Sequence, residues 1–292
     1  MRRRTTEDRV VDSINYALLS VIGFVTLYPF YYILILSFNS GTDAAQGGVY
    51  LWPRSFTLDN YIYFFRDSAW IQAALVSAAR TIVGTVLTVL FTCMVAYGLS
   101  RPDLMFRRVY FLLVIVAMNF SGGLIAYYVV LRSIGLLNTF GVFVIPSMLN
   151  LFFLLIAISF FREIPADLGE SARIDGAGEM TILLRIVLPV SMPLLATMAL
   201  FNGAGQWNAW LDAAYFVQSE HLRTLSYRMI QIINQTVISA DAGAAVYTAN
   251  LKVTNFSVQV TAMVISIAPI IGVYPFLQKY LVKGMMLGSV KG

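Results

Sequence analysis

Charge is scarce in this chain. Only 12% of its 292 residues are Asp, Glu, Lys or Arg, about half the share of an ordinary soluble domain, while 59% are hydrophobic. Cysteine and histidine occur once each, at Cys93 and His221, which argues against a disulfide framework, a histidine-based metal site and a Ser-His-Asp triad. The phosphate-binding pattern G-x-x-x-x-G-K-[ST] is also missing, so the chain is not expected to bind ATP in the usual way.

The sequence contains several long apolar runs. Uninterrupted apolar stretches of about eighteen residues or more are typical of transmembrane helices. The sequence therefore predicts an all-α integral membrane protein with six spans, at about Ile14–Phe38, Gln72–Leu99, Val109–Leu131, Gly141–Phe161, Val190–Phe216 and Ser257–Tyr280.

The distribution of Lys and Arg predicts the orientation. If both ends are cytoplasmic, the inner stretches hold roughly twice as many Lys and Arg as the outer ones, as the positive-inside rule requires. The net charge of +5 then reports topology and not nucleic-acid binding. We expect cytoplasmic tails over 1–13 and 282–292 and a single membrane domain over 14–281.

A polar, glycine-broken loop over 162–189 separates the fourth and fifth runs. The pattern predicts a helix over Pro165–Ile174, a left-handed stop at Gly176 and a second helix over Glu179–Leu188. On the first helix, small residues recur every three to four positions, so one face is almost bare of side chains. From the pattern alone, that face could lie against the chain's own spans or against a partner.

This loop resembles the signature loop of the permease subunits of bacterial binding-protein-dependent ABC importers. Their pattern is Glu-Ala-Ala, a Gly four positions after the second Ala, and then Ile-x-Leu-Pro. Here it reads Glu170-Ser171-Ala172, Gly176 and Ile186-Val187-Leu188-Pro189, with Ser171 as the one departure. Asp175-Gly176-Ala177 and Trp207-Asn208 make the chain most similar to the second permease of maltose-type carbohydrate importers, in the polysaccharide and oligosaccharide subgroup.

The resemblance implies a type I importer permease in the bacterial cytoplasmic (inner) membrane, in contact with lipid. It implies partners as well: a second permease subunit, two ABC ATPase subunits that bind ATP and Mg, and an extracytoplasmic solute-binding protein. The chain itself then needs no cofactor and is not an enzyme. The loop forms a coupling helix that sits in a cleft of the ATPase, through Glu170, Ser171, Ala172, Arg173, Asp175, Gly176 and Ala177. The implied substrate is an oligosaccharide, including acidic uronate oligomers such as those derived from alginate or pectin.

A sugar pathway needs hydrogen-bonding groups at membrane depth, and this chain offers neutral amides and indoles. The candidates are Asn119, Asn150, Asn202, Gln206, Trp207, Trp210 and Gln259. Asn202, Gln206 and Trp210 are spaced to share one helix face. The same amides could instead hold helices together. Arg80 is the cation inside a span, where it could snorkel outward, pair with a carbonyl or contact an acidic sugar.

Two other functions remain open on the sequence. An ion- or proton-coupled secondary transporter needs carboxylates or histidines at depth, and neither Asp103 nor Asp212 is placed convincingly within a span. A membrane enzyme needs a clustered nucleophile and base or a metal set, and the sequence shows none.

Overall fold

In the computed structural model, residues 6–241 and 253–289 are described, with side chains over 9–234, 253–273 and at 275. These residues are helical apart from turns and one isolated β-bridge, between Asn39 and Phe56. The chain forms two compact units. One comprises Met1–Trp70 and Met229–Ala268, and the other comprises Ile71–Arg228 and Pro269–Gly292.

The helices follow one another with short connections. The first four are α1 (Thr6–Ser37), α2 (Gly41–Gln46), α3 (Asp59–Arg66) and α4 (Ser68–Ser100). The next five are α5 (Arg107–Asn119), α6 (Gly123–Ser133), α7 (Gly141–Val144), α8 (Leu151–Arg162) and α9 (Asp167–Ile174). Then come α10 (Glu179–Ile182), a π-turn (Leu183–Val187), α11 (Leu188–Val190), α12 (Met192–Asn208), α13 (Leu211–Phe216), a 3₁₀ turn (Glu220–Leu222), α14 (Leu225–Asp241) and α15 (Asn255–Ser289).

The predicted spans are only partly continuous. Within the described residues, α1, α4 and the Asn255–Val273 part of α15 are long and apolar enough to cross a membrane. Two bent helix pairs bring the number to as many as five. One is Arg107–Asn119 with Gly123–Ser133, bent by 115°, and the other is Glu179–Val190 with Met192–Asn208, bent by 84°. The six-span count therefore stays a prediction.

Three predicted spans are not straight helices, and local residues account for the breaks in the third and the fourth. The third is interrupted where Phe120 is extended and Gly123 takes a φ of +74°. The fourth divides into α7 and α8, where the side chain of Asn150 caps α8 by accepting the Phe153 N–H at 3.1 Å. The fifth stops at Asn208 and restarts as α13.

The first unit is held together near the end of α1. Ile35 and Leu36 pack with Ala44, Val49 and Val260. Beside them, Asp43 accepts the Asn39 Nδ2–H at 2.7 Å and pairs with Arg54 at 3.1 Å. The Asn39 hydrogen bond is the main cause that lowers the pKa of the Asp43 carboxyl, and the Arg54 charge adds to it.

The core of the second unit lies where α4, α8 and α12 meet. Its central members are Cys93, Ala96, Leu154, Ala157 and Met198, all buried. Cys93 and Ala96 belong to α4, Leu154 and Ala157 to α8, and Met198 to α12.

Candidate functional site

Arg80 is a buried cation with a complete set of partners. Its side chain is 2% exposed. Each of its five N–H groups has an acceptor: Gln206 Oε1 receives two, the two carboxylate oxygens of Asp212 receive one each, and the Ala209 carbonyl receives one at 3.2 Å. The guanidinium also lies 4.5 Å from the centroid of the Phe143 ring. The predicted pairing with a carbonyl is confirmed, and Asp212 is a further, acidic partner that was not predicted.

We call Arg80 with its partners Gln206, Asp212 and the Ala209 carbonyl the brace. Gln206 also binds a further segment of the chain. Its Nε2 donates to Ser147 Oγ at 2.8 Å, so both ends of the amide are engaged by protein groups. Gly84 on α4 leaves the room that the amide needs, because a Cβ there would stand 2.9 Å from Gln206 Nε2. The side chain of Gln206, on α12, therefore contacts both α4 and the segment between α7 and α8.

A cavity of about 350 Å³ lies beside this brace. It brings together three of the predicted pathway residues, Asn150, Asn202 and Gln206. Asn202 donates its Nδ2–H to the Met198 carbonyl at 2.9 Å, and none of the described residues donates to its Oδ1. Aromatic rings make up much of the remaining wall: Tyr127, Phe143, Phe153, Phe201 and Phe216. A surface that combines amides with aromatic faces suits a ligand with both hydroxyl groups and C–H faces.

The other predicted pathway residues lie elsewhere. Asn119 ends α5, where its Nδ2 donates to the Ile115 carbonyl at 2.8 Å. Trp207 is buried and lines a separate apolar pocket of about 120 Å³. Gln259 belongs to the first unit.

The shared face predicted for Asn202, Gln206 and Trp210 is wrong. Helix α12 ends at Asn208, Ala209 is extended, and Trp210 precedes the first turn of α13. The break redirects the chain between Gln206 and Trp210. Sequence reasoning also missed Asp212 as a cavity residue. The available signal was Arg80 itself, since a cation within a span calls for an acidic partner.

The loop helix α9 has a well-defined end. Gly176 takes a φ of +81°, as its sequence position predicted. The Ala177 N–H donates to the Ala172 carbonyl at 2.9 Å and the Gly176 N–H to the Arg173 carbonyl at 3.0 Å. This is a Schellman motif, which satisfies the last carbonyls of the helix and requires a left-handed residue at Gly176.

One side of α9 packs on the protein and the other is bare. Ala172 and Ala177 contact the core of the second unit. Glu170, Ser171, Arg173, Asp175 and Gly176 are exposed. Ile174 is 87% exposed, which is unusual for an apolar residue in a polar loop. The small-residue face thus divides between the chain's own core and open surface.

Glu179 links this loop to the end of α4. Its Oε2 accepts hydrogen bonds from the Tyr97 hydroxyl and from Arg101, and its Oε1 accepts the Arg173 Nε–H at 2.8 Å. Arg101 also donates to the Tyr97 hydroxyl oxygen at 2.8 Å. Within the described part of the chain, no group of three or more His, Cys, Asp or Glu side chains could hold a metal ion.

Broken apolar helices, a cavity lined by amides and aromatic rings, and an exposed, capped loop helix fit a membrane permease. The chain belongs to the family described as "Binding-protein-dependent transport system inner membrane component", which matches residues 1–287.

Two named relatives align with almost the whole chain. Protein LplC of Bacillus subtilis (strain 168) is 37% identical over 288 residues, which cover 99% of this chain and 97% of that protein. The polygalacturonan/rhamnogalacturonan transport system permease protein YtcP of the same organism is 32% identical, covering 98% of this chain and 100% of that protein. A crystal structure of a bacterial ABC transporter involved in the import of the acidic polysaccharide alginate contains a chain that superposes with a TM-score of 0.85. It is 29% identical and covers 96% of this chain and 99% of that one.

Proposed function

We propose that this chain is a permease subunit of an ATP-driven ABC importer that moves an oligosaccharide across the bacterial cytoplasmic membrane by alternating access. The observation that carries the proposal is α9, a short, exposed, Schellman-capped helix at the motif Glu170-Ser171-Ala172…Gly176. The family match over 1–287 and relatives named for polygalacturonan and alginate transport support the substrate class.

In this proposal the energy comes from other chains. Two ABC ATPases bind ATP and Mg, and a cleft in the ATPase receives α9. The loop residues that enter the cleft are Glu170, Ser171, Ala172, Arg173, Asp175, Gly176 and Ala177. A second permease completes the pathway, and an extracytoplasmic solute-binding protein delivers the sugar. The chain crosses the membrane six times, with both termini cytoplasmic and the loop 162–189 on the inner face, and it catalyses no reaction itself.

The cavity is proposed to form part of the sugar route. Asn150 and Asn202 offer amide groups to sugar hydroxyls, and the neighbouring rings offer faces for the sugar's C–H groups. Arg80 has no N–H left for a uronate carboxylate, because all five are engaged. Recognition at this cavity is therefore directed at hydroxyls, for neutral and acidic oligosaccharides alike.

A test compares two glycines with the same backbone conformation. Gly176→Asp places a charged side chain on the surface proposed to enter the ATPase. Gly135→Asp is the matched control, because Gly135 also has a positive φ, of +72°, and a Cβ there meets no atom within 4 Å. It lies in the link that we place on the outer face. We expect Gly176→Asp to abolish ATPase co-purification and uptake, and Gly135→Asp to retain both. Retention of the ATPase and of uptake in Gly176→Asp would refute the docking surface.

One observation favours an ion-coupled secondary transporter as the second candidate. Asp212 lines the cavity and is 23% exposed, which is the kind of carboxylate that a proton site uses. Both of its carboxylate oxygens already accept hydrogen bonds from Arg80, which counts against their use as a site for a coupling ion. Uptake that stops with a proton ionophore while ATP is abundant would favour this candidate.

A further inference from the structure

We propose that Glu179 is the positioning residue that joins the loop helix α9 to the long helix α4, so that movement of α9 reaches the cavity. This inference rests on the proposed function, because it concerns how the docked helix acts on the sugar route. Nothing in the resemblance to the importer family assigns a role to this residue.

Three elements meet at this carboxylate. Arg173 stands in the last turn of α9, Glu179 in the first turn of α10, and Tyr97 and Arg101 around the end of α4. Tyr97 and Arg101 are four positions apart, about one helical turn, so both reach the same oxygen of Glu179. The carboxylate thus fixes α9 to α4 by hydrogen bonds from both sides.

Around α9, two small side chains, Ala172 and Ala177, pack on the core of the second unit. Two cavities, of about 880 and 280 Å³, are lined by α9 on one side and by the end of α4 on the other. Ala166 borders both cavities, as do Tyr97 and Arg101. The polar bridge through Glu179 therefore crosses a region that side chains do not fill.

The chemistry requires a carboxylate. An ionised Glu accepts hydrogen bonds only, on two oxygens, and can serve three donors at once. A Gln at this position would turn an N–H group toward a guanidinium and lose the charge-assisted bonds. Glu179 is 56% exposed, so solvent screens its ion pairs and each of them contributes little to stability. Its main effect is consequently on position and not on folding.

Helix α4 carries the connection onward. It is unbroken from Ser68 to Ser100, and it holds Arg80 at one site and Tyr97 at the other. At 1.5 Å per residue these two side chains are about 26 Å apart along the helix. Arg80 donates hydrogen bonds to Gln206 and to the Ala209 carbonyl at the break after α12. A shift of α4 would therefore move these residues of the cavity wall.

The experiment measures sugar imported per ATP hydrolysed. The whole assembly, with both permeases, the ATPases and the binding protein, is reconstituted in vesicles with Glu179→Gln, Tyr97→Phe or the control Glu163→Gln. Glu163 is an exposed carboxylate of the same loop, and no ion pair forms at it within the described residues. For Glu179→Gln we expect retained ATPase co-purification and a ratio lowered at least about fivefold, the lower end of usual coupling between sites. Tyr97→Phe lowers the ratio less, and Glu163→Gln leaves it unchanged.

The outcomes separate this inference from the proposed function. An unchanged ratio in Glu179→Gln overturns the inference. If Glu179→Gln fails to assemble, Tyr97→Phe decides, since it removes a single hydroxyl. A normal ratio in that variant shows that the contact only stabilises the fold. If the wild-type assembly itself imports no sugar with ATP, the proposed function fails instead.

Discussion

Removing the negative charge of Asp212 tests the brace around Arg80. In Asp212→Asn the guanidinium stays buried, because Arg80 is 2% exposed and enclosed by Gln206, Ala209 and Phe143. The variant keeps one acceptor oxygen and loses the counter-charge. The buried cation then lacks a compensating anion within the described residues.

The expected cost follows from this burial. Breaking a buried pair by removing one partner costs about 3–5 kcal/mol. We expect Asp212→Asn to lower the free energy of unfolding by about 3 kcal/mol, because Asp212 is 23% exposed and Asn still accepts one hydrogen bond. The double variant Arg80→Met/Asp212→Asn recovers part of the loss, since the unpaired charge is gone.

The assay is thermal unfolding of the purified assembly in detergent. The control is Glu220→Gln, which removes the ion pair between Glu220 and Arg223. Glu220 is 77% exposed. That variant should cost under about 1 kcal/mol. If Asp212→Asn costs no more than the control, or if the double variant is less stable than Asp212→Asn alone, the reasoning about the buried brace is refuted.

Three further predictions concern other parts of the chain. Gly84→Ala pushes against the fixed amide of Gln206 and should cost about 1–3 kcal/mol in thermal unfolding. Gly98→Ala on the same helix, where a Cβ meets no atom within 4 Å, should be neutral or stabilising, and equal effects would contradict the packing. Asn202→Ala should lower uptake by about tenfold through loss of about 1.4 kcal/mol of hydrogen bonding to the sugar, and uptake at the wild-type rate would remove this residue from the route. The pKa of Asp43 is lowered, so its carboxylate stabilises the folded protein above the ordinary Asp pKa of 3.8, and this contribution is lost as pH falls through the lowered pKa. The stability gap between wild type and Asp43→Asn should therefore narrow below about pH 4, and a gap that widens there would be incompatible with the assignment.

Local signals in the sequence predicted the loop well. Gly176 after Asp175 predicted the left-handed stop, and the structure shows it with the hydrogen bonds of a Schellman motif. The predicted start at Pro165 differs by two residues from the observed Asp167. Helix ends of this kind depend on neighbouring residues, and so a single sequence reveals them.

The breaks in the spans were harder to predict, because an apolar composition does not show where a helix bends. The run Val109–Leu131 is apolar apart from a few residues such as Asn119 and Ser121, and the extended Phe120 and the left-handed Gly123 lie where it bends. The break after Asn208 likewise has no proline or charge to mark it. At this break the Ala209 carbonyl accepts a hydrogen bond from Arg80, more than a hundred positions earlier in the chain. Contacts between residues so distant in sequence have no local signal.

Uptake into sealed vesicles tests the central claim most directly. The complete assembly with its binding protein is reconstituted, and labelled oligogalacturonate uptake is measured with and without enclosed ATP and in the presence of ionophores. The account predicts uptake that requires both ATP and the binding protein and that ionophores leave unchanged. Uptake by this chain alone, driven by an ion gradient without ATP, would contradict it.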